Sequence, residues 1–259
     1  MSTIKVNNIE SYTPGNPLNV NDELQITGSS AIGERSFAHS RFGKASGSYS
    51  HAEGYGAQSL GKYSHAEGLS TKAGQSNQEL EGIGAHAEGE WANALGRGSH
   101  AEGYNATSSA RFTHAEGYKT WAGVSGNTGR YSHAEGYYTQ TKGQASHAEG
   151  HSTTASGDYS HAEGYQTHTS HSYSHAEGRY TKTDSAYQHV QGEYNATSSG
   201  SSAFMVIGNG QNGTRRNLVE FHRRAFIFDT GSIPTSDPGV LGQLYRTGSN
   251  RDEIKISLG

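Results

Sequence analysis

Along most of this chain, small side chains and polar side chains alternate in columns that recur every 14 residues. Nine copies of His-Ala-Glu-Gly set the frame, opening at His51, His65, His86, His100, His114, His133, His147, His161 and His175. Six of the eight intervals are 14 residues, and the other two are 21 and 19. The residue after each histidine is Ala in every copy, and the one before it is small, as in Ser50, Thr113 and Ser160. Six and eight places downstream come two more small columns, Ala57, Thr71 and Thr153 in the first and Ser59, Ala73 and Ala155 in the second. Alternation of this kind puts one set of side chains on each face of a strand. Each 14-mer therefore divides into two similar 7-mers, each a strand of about five residues and a glycine turn. No 3.6-residue period is present, and Gly, Ser, Thr and aromatic residues disfavour helix. A fixed repeat whose unit buries its face only against the next unit predicts a solenoid.

The pattern extends past its perfect copies. Ser36-Phe37-Ala38-His39-Ser40 stands in register before the first copy, and Gln188-His189-Val190-Gln191-Gly192 follows the last. The expected roll covers residues 29–200 as about eleven coils, roughly 50 Å long at about 4.8 Å per coil. Extra residues near 72–84 and 121–130 are expected to leave as surface loops. Residues 1–28, with alternating stretches around Pro14-Gly15-Asn16-Pro17, read as an N-terminal β cap or attachment segment. Residues 201–259, richer in apolar side chains such as Phe204, Val206, Ile207 and Phe226, read as a C-terminal β cap and trimerisation domain.

Composition supports a thin roll rather than an ordinary core. Hydrophobic residues make up 31% of 259, with 36 glycines and 17% charged residues. That is too little apolar material for a conventional globular interior. The net charge is −4, with no basic block, which argues against nucleic acid as a partner. No run of 18 apolar residues offers a membrane helix, no secretory leader is visible, and there is no cysteine.

With Ser and Ala inward, the His and Glu of the same strand face outward as ladders. Like charges about 5 Å apart repel, and alternating His with Glu relieves that as ion pairs or hydrogen bonds. On the other half-coil the outward positions follow no rule (Gly56, Ser70, Trp91, Asn105, Lys119, Tyr138). An unchanging face predicts a repetitive environment, most simply a subunit interface.

The 14-residue unit resembles the head repeat of trimeric autotransporter adhesins of the YadA type, whose half-coil reads Ser-Val-Ala-Ile-Gly. Here Ser-His-Ala-Glu-Gly replaces it, while Ser29-Ser30-Ala31-Ile32-Gly33 and Val206-Ile207-Gly208 stand closer to that form. The resemblance implies an all-β fold, a left-handed parallel β-roll forming a homotrimer. It places the ladder His51, Glu53, His65, Glu67, His86, Glu88, His100, Glu102, His114, Glu116, His133, Glu135, His147, Glu149, His161, Glu163, His175 and Glu177 at the trimer interface. Polar side chains there replace a hydrophobic seam. The opening Ser2-Thr3-Ile4-Lys5-Val6-Asn7-Asn8-Ile9 and the segment Ile233-Pro234-Thr235-Ser236-Asp237-Pro238-Gly239 resemble the ends of bacteriophage virion and tail-fibre proteins.

The expectation is a structural fibre or appendage of a phage virion, a rigid spacer serving host attachment. It would meet other virion proteins through its N-terminal segment, and a host-surface glycan at Trp91, Trp121, Tyr138 and Tyr180, since aromatic faces bury apolar surface while polar atoms stay hydrogen-bonded. A bacterial cell-surface adhesin head is the alternative; the absence of a leader, stalk and anchor argues against it. An ice-binding solenoid needs a regular outward Thr array, and the regular Thr column here is expected to point inward. No catalytic residue is expected, because His-Ala-Glu-Gly lacks the second His of a zinc-protease helix and sits on a strand. Rings of histidine around an axis are the arrangement that would hold zinc or nickel. A self-satisfying ladder is preferred, so no metal site and no cofactor is assigned.

Overall fold

The computed structural model describes residues 30–75, 82–126, 128–198, 203–228, 239–240, 244–247 and 253–256. The expectations for residues 1–28 lie outside the described residues. The described residues form a parallel β-solenoid of about twelve turns, with two sheets as its walls and no helix among them. None of them forms a helix long and apolar enough to cross a membrane.

The two half-coils are not alike. Each His-Ala-Glu-Gly copy through His161 opens a five-residue strand, as in His51–Tyr55, His100–Tyr104 and His161–Tyr165. The second half-coil contributes mostly two-residue strands, as in Gln58–Ser59, Lys72–Ala73 and Thr154–Ala155. The expectation of two equal five-residue strands is thus corrected. The second half spends its length on turns, where Ser and Gly relax the backbone and only two residues reach the neighbouring rung.

Register is one-to-one along the long strands: His100 pairs with His114, Ala101 with Ala115, Glu102 with Glu116 and Gly103 with Gly117. It holds across both longer intervals, where His65 meets His86 and His114 meets His133. Paired glycines with positive φ bracket both longer intervals, and the second keeps its strand from Trp121 to Gly126. Gly74 (φ 83°) faces Gly82 (φ 75°), and Gly123 (φ 72°) faces Gly129 (φ 73°). A Cβ added to Gly82 would stand 2.3 Å from Gly74 Cα, so only glycine lets the two chain crossings approach.

The interior holds the small columns that periodicity predicts. Ala52, Ala66, Ala101, Ala115 and Ala148 are fully buried, as are Ala57, Thr153, Ser59 and Ala155. The hydroxyl residue before most of the histidines has a specific task. It donates to the carbonyl three residues back, Ser99 to Gly96 at 2.7 Å and Ser160 to Gly157 at 2.6 Å. This closes the turn and satisfies a buried polar pair at once.

The parallel ladder runs past residue 200. The strand Ala203–Asn209 pairs in parallel with His189–Glu193, Val206 opposite Val190 and Gly208 opposite Gly192. Only then does the direction reverse, with Asn217–His222 and Phe226–Phe228 adding antiparallel strands to the same sheet. Leu244–Thr247 and Glu253–Ile256 form a separate antiparallel pair.

Candidate functional site: the histidine and glutamate ladder

In each long strand, His and Glu point out while the intervening Ala points in. One-to-one register then stacks every His on the next. The imidazoles of His86 and His100 lie 4.8 Å apart at 7°, and those of His114 and His133 lie 4.7 Å apart at 2°. The stack runs without a break from His51 to His189. The side chains are about one-third exposed, 35% for His114 and 38% for Glu116. All nine repeat histidines, and the Glu two places after each, lie in these two ladders.

Each Nε2 turns toward carboxylate. The Nε2–Oε2 separation is 3.5 Å for His51 and Glu53 and 3.6 Å for His114 and Glu116. These are close approaches, longer than the 2.7–3.2 Å or so of a hydrogen bond. In several steps one glutamate serves two rungs. Glu116 lies 3.6 Å from His114 and 3.9 Å from His133, and Glu149 lies 4.0 Å from both His147 and His161. The Nε2 atoms of all nine repeat histidines are shielded from solvent and make no hydrogen bond.

Crowding sets the electrostatics. Burial, and then the neighbouring histidines, hold His114, His133, His161 and His175 below the ordinary imidazole value. Glu163 is pushed up to about 7, first by its hydrogen bond with Glu149 and then by burial. Glu135 moves up through burial, whereas Glu149 moves down because Glu163 donates to it. Beside this carboxylate column runs an open groove of about 780 Å³, lined by Glu135, Glu149, Glu163, Glu177 and glycines such as Gly150 and Gly164.

The four aromatic residues singled out from sequence do not form one site. Trp91, Tyr138 and Tyr180 occupy the same turn column, each with φ of 56°. Trp121 opens the strand Trp121–Gly126, donates its indole N–H to the Gly123 carbonyl and borders a recess of about 150 Å³ with Val124 and Lys142. Trp91, Tyr138 and Tyr180 instead join a row that sequence reading missed. The residue four places after His supplies Tyr104, Tyr118, Tyr137, His151 and Tyr165, stacked at 4.8–4.9 Å. Trp91 packs edge-on against Tyr104, and Tyr180 against Tyr165. The signal was present in the recurrence of Tyr at that column. A second aromatic column, two places before His, stacks Tyr159, Tyr173 and Tyr187.

Off the ladder, a buried pair joins His222 Nε2 to Glu220 Oε2 at 3.0 Å, with Asn217 donating to the other carboxylate oxygen. Nothing in the repeat pattern pointed to it. The ladder as a whole can do two things chemically: pair with another charged, regular surface, or share its Nε2 and carboxylate atoms with a cation. No protein-family model matches the chain, and no curated protein matches it.

Proposed function

We propose that this chain is a structural fibre or appendage subunit of a phage virion, a rigid left-handed β-roll assembled as a homotrimer through its His/Glu face. The observation that carries the reading is the ladder. Nine rungs of His and Glu, about one-third exposed, repeat without variation, and the Nε2 atoms are shielded without a hydrogen bond within one chain. Polar groups left this way are costly unless something completes them. A cyclic oligomer offers each rung the equivalent rung of its neighbours, at the same height along the rod. Placement on a virion rests on the resemblance of the two chain ends to phage structural proteins. The terminal segments would act as caps and docking elements, and the exposed aromatic row would meet host glycan.

Replacing Glu116, Glu135 and Glu149 together by Lys tests the seam. The altered chain is expected to lose its trimeric mass while keeping its β circular-dichroism signature. A trimer that persists with three such rungs reversed contradicts the placement of the interface. An antibody against the rod is expected to label purified virions; labelling confined to a bacterial surface would favour the adhesin reading instead.

A further inference from the structure

We propose that the turn column five places after each ladder histidine is a carbohydrate-binding track, and that its ligand is an extended β-1,4-linked glycan lying along the rod. The proposal rests on the reading that exposed aromatic residues meet glycan, and it names the sugar chain and the residues that hold it.

Spacing carries it first. Followed from rung to rung, the column holds an aromatic ring at Phe42, Trp91, Tyr138 and Tyr180, each three rungs beyond the last. Tyr194 adds one more on the rung after Tyr180. Small or polar residues fill the two rungs between: Gly56 and Ser70, Asn105 and Lys119, Ser152 and Gln166. Each turn is tied to the rung before it, Trp91 N–H to the Leu69 carbonyl at 2.8 Å and Tyr138 N–H to the Tyr118 carbonyl at 2.9 Å. The turns therefore keep the strand spacing, and three rungs span about 14 Å. An extended β-1,4-linked pyranose chain advances by close to one rung per sugar, so it meets a ring at every third sugar.

Ring orientation is the second observation. In the neighbouring row the rings stack face on face, Tyr118 on Tyr137 at 8°, which hides their faces from a ligand. The column rings stand across that row instead. The angle is 81° for Phe42 on Tyr55, 68° for Trp91 on Tyr104, 69° for Tyr138 on Tyr118 and 70° for Tyr180 on Tyr165. Phe42, Trp91 and Tyr138 are 60%, 44% and 41% exposed. An aromatic face takes the C–H face of a sugar, while Asn105, Ser152 and Gln166 in the gaps meet its hydroxyls. A cation accompanies three of the rings, Arg41 over Phe42, Lys119 over Tyr138 and Arg179 over Tyr180, and adds N–H donors beside them.

The turn itself does not call for these rings. Ser70, Asn105 and Ser152 hold it at φ 54°, 53° and 56°, against 56° for Trp91, Tyr138 and Tyr180. A large side chain is disfavoured at positive φ, and at Trp91 and Tyr138 burial does not offset that.

The test is calorimetric titration of the full chain with β-1,4-linked N-acetylglucosamine oligomers of three and of seven sugars. Seven sugars reach from Trp91 past Tyr138 to Tyr180, and three reach one ring. The heptasaccharide is therefore expected to bind at least about tenfold more tightly than the trisaccharide. Maltoheptaose, whose α-linkages coil the chain, is expected to bind no more tightly than the trisaccharide. The Trp91→Ser, Tyr138→Ser, Tyr180→Ser variant, whose turns take the residue already present at Ser70 and Ser152, is expected to lose the heptasaccharide's advantage. Should it fail to fold, Tyr138→Ser alone interrupts the track at its centre and decides by the same comparison. Tyr159→Ala, in the other aromatic column, is expected to change nothing. Equal affinity for three and seven sugars overturns the proposal. A heptasaccharide held equally well by the serine variant overturns this track and leaves glycan contact standing elsewhere on the chain; one not bound at millimolar concentration overturns both. Loss of oligomeric mass in the serine variant would assign the column to a second copy of the chain instead.

Discussion

Glycine and serine do specific steric work in this chain. The glycine of each His-Ala-Glu-Gly copy through His161 sits inside the long strand with φ near +105°, not in a turn, and its hydrogens face the next rung. A Cβ on Gly117 would stand 2.3 Å from the Gly136 carbonyl oxygen. Gly117→Ala combines a disfavoured backbone with a clash against main chain, and is expected to cost roughly 2–6 kcal/mol. Denaturant unfolding that shifts by less than about 1 kcal/mol would show that the rungs can spread. The opposite case is Ser152, a non-glycine residue held at φ 56°. The same column holds glycine at Gly56 (φ 68°), so the position accepts it. Relieving left-handed strain returns about 1–2 kcal/mol, and the freer unfolded chain offsets about 0.5–1 kcal/mol. Ser152→Gly is therefore expected to stabilise by up to about 1 kcal/mol, read as a higher thermal midpoint; a lower midpoint contradicts this account of the turn. These turn conformations were not legible in the sequence. Tyr49, Trp91 and Tyr138 disfavour positive φ, and only the ladder bonds on either side hold them there, such as Trp91 N–H to the Leu69 carbonyl at 2.8 Å.

The long strand is the element that carries chemistry, and its outward side chains titrate as a group. Depressed values for His51, His114, His133, His161 and His175 mean that the unfolded chain takes up protons first, from about pH 6.5 downward. Their contribution is complete above that pH and is lost as pH falls through the lower folded values. Glu149, also depressed, acts in the same direction below about 4.5. Glu163 acts oppositely, since its folded carboxyl holds a proton up to about 7 against 4.5 unfolded. Its contribution is present below 4.5 and is lost as pH rises toward 7, and Glu135 follows it in direction. Between about pH 5 and pH 7.5 the histidines and the glutamates act in opposite directions, and the chain is expected to melt at a lower temperature at about pH 5, where the stacked imidazoles charge together. A higher midpoint at the acid pH would mean that the glutamates dominate. At this scale the sequence was informative about which residues share a face, because Ala is constant between His and Glu. It misled about the second half-coil, whose Thr and Ala columns promised a full strand where Thr154–Ala155 makes a two-residue one.

For the whole molecule, a repeat of identical rungs gives a solenoid whose neighbours supply nearly all contacts, and the 14-residue spacing made that legible from end to end. The two longer intervals hid nothing, since register resumes at His86 and His133. Where the roll stops was harder to read. The apolar run at Phe204–Ile207 looked like a different domain, yet Val206 continues the Ala column of the core. The column already widens one rung earlier at Val190, which pairs in parallel with Ala176 and Val206, and beyond Val206 the pairing with Glu220 turns antiparallel. The rod presents one uniform charged face and two aromatic columns, a surface suited to assembly with copies of itself. Solution mass by light scattering behind size exclusion, at neutral pH, tests that most directly. The account predicts about three times 27.6 kDa, and a mass of 27.6 kDa would contradict it.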